Sequence, residues 1–341
     1  MKKKRNKKTI LTLKIVLSIL IIACVFVFFY INSMLSKIHY SSGKVNHPNS
    51  TSSAVSSDTD ADKLIEDNLK NNKTPIAYDK DVFNVLLIGS DARDTSEPSR
   101  SDSMILVSIN KKSNKIIMTS IMRDIYLNIP GYENNRINAA YDYGGADLLL
   151  KTIQENLKIK INKYISVNFF TFIDIIDKLG GVNISVSQAE LPVLNRYIQE
   201  INTLKGLSPD NGKLLSSGDN IHLTGKQAMG FSRIRYVGND DFGRTQRQRT
   251  ILTQIINKLK GENIIQLNST LNELLPDVTT NLSKGELFSL ILSSPTYFGY
   301  TLEQDRIPID NSYNDVYIRG MDVMTIDFGK NISELQSKIY G

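Results

Sequence analysis

The chain holds one cysteine and three histidines in 341 residues. A single thiol cannot close an internal disulfide, so the folded part must be stable without one. The histidines (His39, His47 and His222) have no metal-ligand spacing. Neither a Gly-rich phosphate loop nor a Gly-x-Ser-x-Gly nucleophile elbow occurs. An excess of positive charge is also missing from most of the chain. The formal charge of +6 and the pI near 9.1 come from six bases in residues 2–8, because the remainder holds 35 bases and 35 acids. A nucleic-acid-binding fold carries its charge on the folded surface, so no nucleic acid is expected as a partner. Apolar residues make up 41%, which is globular composition and excludes wholesale disorder or a polytopic membrane protein.

One long apolar run is present. No residue between Lys14 and Lys37 is charged, and Ile15–Ile31 is apolar except for Ser18. About 20 such residues cross a hydrocarbon core of about 30 Å. The basic flank before the run keeps the N-terminus in the cytoplasm and exports the chain beyond Lys37. A cleaved signal peptide is the alternative, but Phe28-Phe29-Tyr30-Ile31-Asn32 offers no small-residue cleavage site. Cys24 lies inside the run and apolar residues continue past it, unlike a lipoprotein site. The expected organisation is a short cytoplasmic basic tail over 1–14, a transmembrane helix over 15–36, an extracellular linker over 37–80, and a globular domain over 81–341. The linker is rich in Ser, Asn, Thr and Asp, with room for a short helix near Asp62–Leu69.

Val82–Ile88 is a nearly continuous apolar run ending at Gly89, as in a strand buried on both faces. Ser103–Asn110 and Lys115–Ile121 read as a hairpin, and Tyr164–Asn168 and Val182–Val186 as further strands. Helices are expected after Gly144-Gly145, over Phe169–Leu179, and over Gly225–Phe231, Thr245–Lys260, Ile264–Leu275 and Lys284–Leu292, with a late strand around Tyr300–Ile307. Interleaved helices and strands predict a layered α/β/α domain around a central mixed sheet, with residues 261–341 completing that sheet.

Arginine is the exception in a lysine-rich chain, 13 Arg against 28 Lys. Arg233, Arg235, Arg244, Arg247 and Arg249 fall within seventeen residues, and Arg93, Arg100 and Arg123 sit next to expected strand ends. Guanidinium grips phosphate oxygens bidentately, although ion-pair networks give the same clustering. On the Thr245–Lys260 helix the apolar stripe of Ile251, Ile255 and Leu259 runs back through Gln248 to Arg244, which points both inward. Alternation in Phe231–Tyr236 places Arg233 and Arg235 on one face of an extended segment. Asp91 and Asp102 are hard oxygen donors suited to Mg²⁺ with substrate phosphates, or turn caps. Asp124, beside Arg123, is an ion-pair partner or a general base.

In order, Gly89–Arg93, Arg100–Met104, Ser120–Asp124, Asn138-Ala139-Ala140 with Gly144-Gly145, Leu179–Val182, and Gly225–Arg235 with Asp241–Arg249 form a set over roughly Asp81–Lys260. This set resembles the LytR–CpsA–Psr family of Gram-positive wall enzymes. The resemblance implies a membrane-anchored, extracellular phosphotransferase. Such an enzyme moves an anionic glycopolymer (teichoic acid or capsular polysaccharide) from undecaprenyl pyrophosphate to the N-acetylmuramic acid of peptidoglycan. It implies Mg²⁺ near Asp91 and Asp102, and pyrophosphate binding by Arg93, Arg100, Arg123, Arg233, Arg235, Arg244, Arg247 and Gln248. Asp124 or Asp102 accepts the hydroxyl proton. Met122, Ser99 and Arg249 depart from the family's usual Pro, Gly and Gln. A transcriptional attenuator, a non-catalytic binder of lipid-linked pyrophosphates and a pyrophosphatase are the rival readings. The helix Phe169–Ile176 offers material for a carrier groove or for plain core.

Overall fold

The computed structural model describes residues 33, 35–40, 59–90, 99–238, 240–261, 266, 270, 273–274 and 278–341. The basic tail, the apolar run Ile15–Ile31 and nearly all of the expected helix Ile264–Leu275 lie outside these residues, as does the expected transmembrane helix except for residues 33, 35 and 36. No helix among the described residues is long and apolar enough to cross a membrane.

The apolar runs become a seven-stranded mixed sheet. Its members are β1 (His39–Tyr40), β2 (Val82–Ser90), β3 (Ser101–Asn110), β4 (Lys115–Ile121), β7 (Tyr164–Asn168), β10 (Thr279–Thr280) and β11 (Thr301–Ile307), in the order β1-β10-β7-β2-β3-β4-β11. The pairs β2–β3 and β3–β4 are antiparallel, whereas β2–β7 and β4–β11 are parallel. Antiparallel β3 thus brings its first residues beside the last residues of β2 and β4.

One face of the sheet is tightly packed. Leu86, Ile88, Met104 and Leu106 meet Leu149, Ile153 and Leu157 of α2 (Ala139–Leu157) and Ile332, Leu335 and Ile339 of α8 (Phe328–Tyr340) in one core. The Gly144-Gly145 pair interrupts α2 rather than opening it, and Gly145 sits at φ 64°, ψ −158°, a conformation that only glycine adopts without strain. The opposite face carries Phe83, Val85, Leu87, Val107 and Ile165 by alternation and register. Among the described residues these join none of the packed core clusters, and Phe83, Leu87, Val107 and Ile165 stay half-buried. Over this face lies α6 (Asp240–Gly261), tied to it where Arg249 Nη1 donates to Ser120 Oγ (2.6 Å) and Arg249 Nε to Gln304 Oε1 (3.3 Å). No residue of α7 (Lys284–Tyr297) is buried, although Leu287–Leu302 contains no charge.

A second lobe packs α3 (Phe169–Lys178), α4 (Glu190–Leu204) and α5 (Gly225–Ser232) with the two-stranded sheet of β8 (Val182–Val186) and β9 (Gly218–Leu223). A capping box, Thr224 with Gln227, starts α5.

Three expectations change. First, the end of the expected transmembrane helix and parts of the expected linker are folded on the domain: Leu35, from the former, and Ile38 pack on Leu287, Phe288 and Ile291, and α1 (Thr59–Asn71) buries Ile65 in the main core. Second, Phe231–Tyr236 is not an alternating strand, because α5 runs through Phe231 and Ser232 and Arg233 is the helix cap. Third, residues 261–341 complete the sheet only in part. β10 and β11 join it, but β12 (Tyr313–Ile318) and β13 (Met321–Ile326) form a separate hairpin.

Candidate active site

The start of β3 and the end of β4 place Asp102, Arg123 and Asp124 together. Arg123 Nη1 donates to Asp102 Oδ1 (2.5 Å) and Arg123 Nε to Asp124 Oδ2 (3.4 Å). Arg136, in the two-residue strand β6 (Asn135–Arg136), reaches the other oxygen of Asp124 (3.4 Å). Met122 is fully buried and its N–H donates to Ile307 O (2.9 Å). Proline lacks this donor, so methionine here keeps the residue before Arg123 bonded to β11.

The N-terminal turns of α6 close the group. Asp241 Oδ1 lies 3.1 Å from Arg235 Nε and 3.5 Å from Arg244 Nη2. Arg244 is 4% exposed, as the helical stripe requires, and its buried Nε has no hydrogen-bond partner among the described residues. Asn138 Oδ1 and Ser101 Oγ, both flanking the cluster in sequence, are buried and unsatisfied in the same sense. Buried polar atoms cost free energy unless paired, so Arg244 Nε, within the cluster of guanidinium groups and carboxylates, suits a polar ligand. The 22-residue helix also aims its positive end there.

The charges are mutually tuned. Burial lowers the proton affinity of Arg123, but Asp102 and Asp124 outweigh it and hold the guanidinium above its ordinary value. Arg244 is pushed down by burial and then by Arg123, against the pull of Asp241, Asp102 and Asp124. Asp124 is raised, first by burial and then by hydrogen bonding and charge from Asp241, against Arg123 and Arg136. A buried carboxylate with raised proton affinity beside clustered guanidinium groups can accept a proton while phosphate charge is neutralised.

Not every expected arginine joins. Arg233 lies over Tyr197 (4.7 Å) and Phe169 (5.2 Å) and pairs with Glu200 (3.3 Å), beside the apolar cluster of Phe169, Ile173 and Ile201. Arg247 is turned away. It bonds Glu190 (2.7 Å) and the carbonyls of Ile234 and Val237, so it holds the loop before α6 instead of lining the cluster. Gln248 follows Arg244 by one turn on the same helix and is half-buried. Arg100 is exposed at the start of β3, and Asp91 and Arg93 lie outside the described residues. The sequence pattern marks Asp241 only as a partner for buried arginine, and it gives no signal for Arg136. As for a metal, Asp102 is a hard, partly exposed carboxylate that fits Mg²⁺. No group of three or more His, Cys, Asp or Glu that could hold a metal lies among the described residues, and Asp91, the other expected ligand, lies outside them.

A family model described as LytR_cpsA_psr matches residues 43–336. The chain belongs to the LytR–CpsA–Psr family. It is 36% identical over 211 residues to the polyisoprenyl-teichoic acid–peptidoglycan teichoic acid transferase TagU of Bacillus cereus, covering 60% of this chain and 62% of that one. It is 33% identical to the regulatory protein MsrR of Staphylococcus aureus, over 71% of this chain and 69% of that one. Its fold matches the LytR-CPS2A-psr family protein YwtF (TagT) with bound octaprenyl pyrophosphate lipid. The TM-score is 0.57 at 28% identity, covering 77% and 93% of the two chains.

Proposed function

We propose that this chain is a membrane-anchored, extracellular phosphotransferase. It moves an anionic glycopolymer from undecaprenyl pyrophosphate to the N-acetylmuramic acid of peptidoglycan. The observation that carries this reading is the Arg123–Asp124–Arg244 cluster, with the unpartnered Arg244 Nε, beside an apolar sheet face that joins no packed core cluster among the described residues. The first fits a pyrophosphate and the second a polyprenyl tail. A relative named as a teichoic acid transferase and a structural neighbour with octaprenyl pyrophosphate support both halves. The apolar run Ile15–Ile31 supplies the anchor.

Arg123, Arg235 and Arg244 bind the pyrophosphate and neutralise charge on its oxygens. Arg233, set among aromatic rings, lies where the headgroup gives way to the tail. Asp124 accepts the proton of the acceptor hydroxyl, whose oxygen forms the new P–O bond as the bond to undecaprenyl phosphate breaks. Asp102, with Asp91, would hold Mg²⁺, which supplies further neutralisation of the phosphate oxygens when bound. The test is full-length protein in detergent with Mg²⁺, a short undecaprenyl-pyrophosphate glycan and peptidoglycan oligomers, read by mass spectrometry. A phosphodiester-linked conjugate from wild type and little from Arg123→Ala or Arg244→Ala is expected. The name of the Staphylococcus aureus relative favours a second reading, a regulator that binds the carrier without turnover. Donor binding with no conjugate across several acceptors would select it.

A further inference from the structure

The arginine cluster can be approached from a second side. A cleft of about 970 Å³ opens between the first turns of α6, the end of β11 and the β12–β13 hairpin. Asp124, Arg235 and Asp241 form its inner wall. The hairpin is fixed to the catalytic strand end, since Met324 N donates to Asp124 O (2.8 Å) and Ile125 bridges Met324.

The lining has a distinct chemistry. Its basic residues are used internally: Arg235 pairs with Asp241, Arg249 with Ser120 and Gln304, and Arg306 with Asp310 and the Pro308 carbonyl over the Phe242 ring (4.1 Å). Asp315 and Asp322, by contrast, are exposed and pair with no cation among the described residues. Tyr236 and Tyr317 present their rings at 76% and 69% exposure. Carboxylates without free cations repel a polyanion, whereas carboxylates and exposed aromatic rings together suit hydroxyl and N-acetyl groups on sugar faces. In-line phosphoryl transfer also requires the nucleophile to enter opposite the leaving oxygen, and Asp124 lines both the cluster and this cleft.

We propose that this cleft is the acceptor site and takes an N-acetylated, hydroxyl-rich glycan strand, with Tyr317, Asp315 and Asp322 as its recognition residues. The assignment rests on the phosphotransferase reading. The anionic donor stays on the arginine side, and the acceptor hydroxyl reaches Asp124 along the hairpin.

The experiment uses full-length protein in detergent, with neutral N-acetylglucosamine oligomers as the binding probe and N-acetylglucosamine–N-acetylmuramic acid oligomers as the acceptor in the kinetics. Saturation-transfer NMR reads oligomer binding, and steady-state kinetics read the KM of each substrate. Tyr317→Ala and the double variant Asp315→Lys/Asp322→Lys should each raise the acceptor KM about tenfold and leave the donor KM unchanged. An unchanged acceptor KM, or a rise confined to the donor, overturns the proposal. If wild type forms no conjugate but binds oligomers, and Tyr317→Ala weakens that binding about tenfold, the cleft stands and the transfer reading fails. Absence of oligomer binding to wild type overturns the cleft itself.

Discussion

Gly225→Ala tests the packing that sets the second lobe. Gly225 is the first residue of α5, where that helix crosses α3, and its N–H donates to Asp177 Oδ1 (2.6 Å). A Cβ there would stand 2.1 Å from Ile173 O, 2.8 Å from Ile173 C and 3.0 Å from Asp177 Cγ. The two nearest atoms belong to backbone, so no rotamer change relieves the overlap, and the helices must separate by about 1 Å. Overpacking of this kind costs about 1–3 kcal/mol. Weakening the Asp177 bond adds about 1 kcal/mol, and the better helix propensity of alanine returns at most about 1 kcal/mol. The expected net loss is about 1–3 kcal/mol, or roughly 2–12 °C in melting temperature for a domain of this size. Gly285→Ala is the matched control, because Gly285 also lies in a first helical turn but a Cβ there meets nothing within 4 Å. It should gain about 0.5–1 kcal/mol. Circular-dichroism melts of the full-length variants in one detergent give the comparison. A melting point for Gly225→Ala no lower than that of Gly285→Ala would refute the reasoning.

Arg123→Ala leaves Asp102 and Asp124 without their shared guanidinium, so conjugate formation should fall by about 100-fold or more. Arg123→Lys should not restore it, since lysine lacks the planar fork, and initial rates decide both points. Asp124 binds its proton more tightly than an ordinary aspartate, so as the base it loses activity on acidification at a pH above the usual carboxylate range. Asp241→Asn removes a charge that raises Asp124 and should move that acid limb of the pH–rate profile to lower pH. Asp62 accepts from Asn134 (2.8 Å), Arg319 (3.0 Å) and Tyr126 (3.2 Å). Asp62→Ala should therefore cost about 3 kcal/mol and speed proteolysis within α1 in limited digestion.

The strands of the sheet's centre were legible because each is a short apolar run bounded by turn residues. Lys115–Ile121 and Tyr164–Asn168 coincide with their expected limits, and Arg244 faces inward as the 3.6-residue stripe demands. Pattern failed where a local signal was overridden. The alternation of Arg233, Ile234 and Arg235 mimics a strand, but the capping box at Thr224 commits the chain to a helix that ends there. It failed again where the deciding partner is remote. Nothing near Arg247 marks it as structural, because its carboxylate partner, Glu190, lies 57 residues earlier on α4. Arg136 reaches Asp124 from a two-residue strand that carries no periodicity. The β12–β13 hairpin lies in the stretch 261–341 expected to complete the central sheet, and only its backbone bond to Asp124 ties it to the chemistry.

The docking of β1 changes the mechanics of attachment. Read as a stalk, residues 37–80 would let the domain swing far from the bilayer. With Leu35 and Ile38 buried against α7 and His39–Tyr40 paired to β10, only residues 32–34 separate the apolar run from a fixed point on the domain. Three residues reach at most about 10 Å. On the proposed anchoring, such a leash would confine the domain to a shell at the membrane surface, so that encounter with a lipid-borne substrate would become a search in two dimensions. β1 and α1 both belong to this domain, so inserting residues between them should leave the working height unchanged, whereas inserting them after Ile31 should raise it.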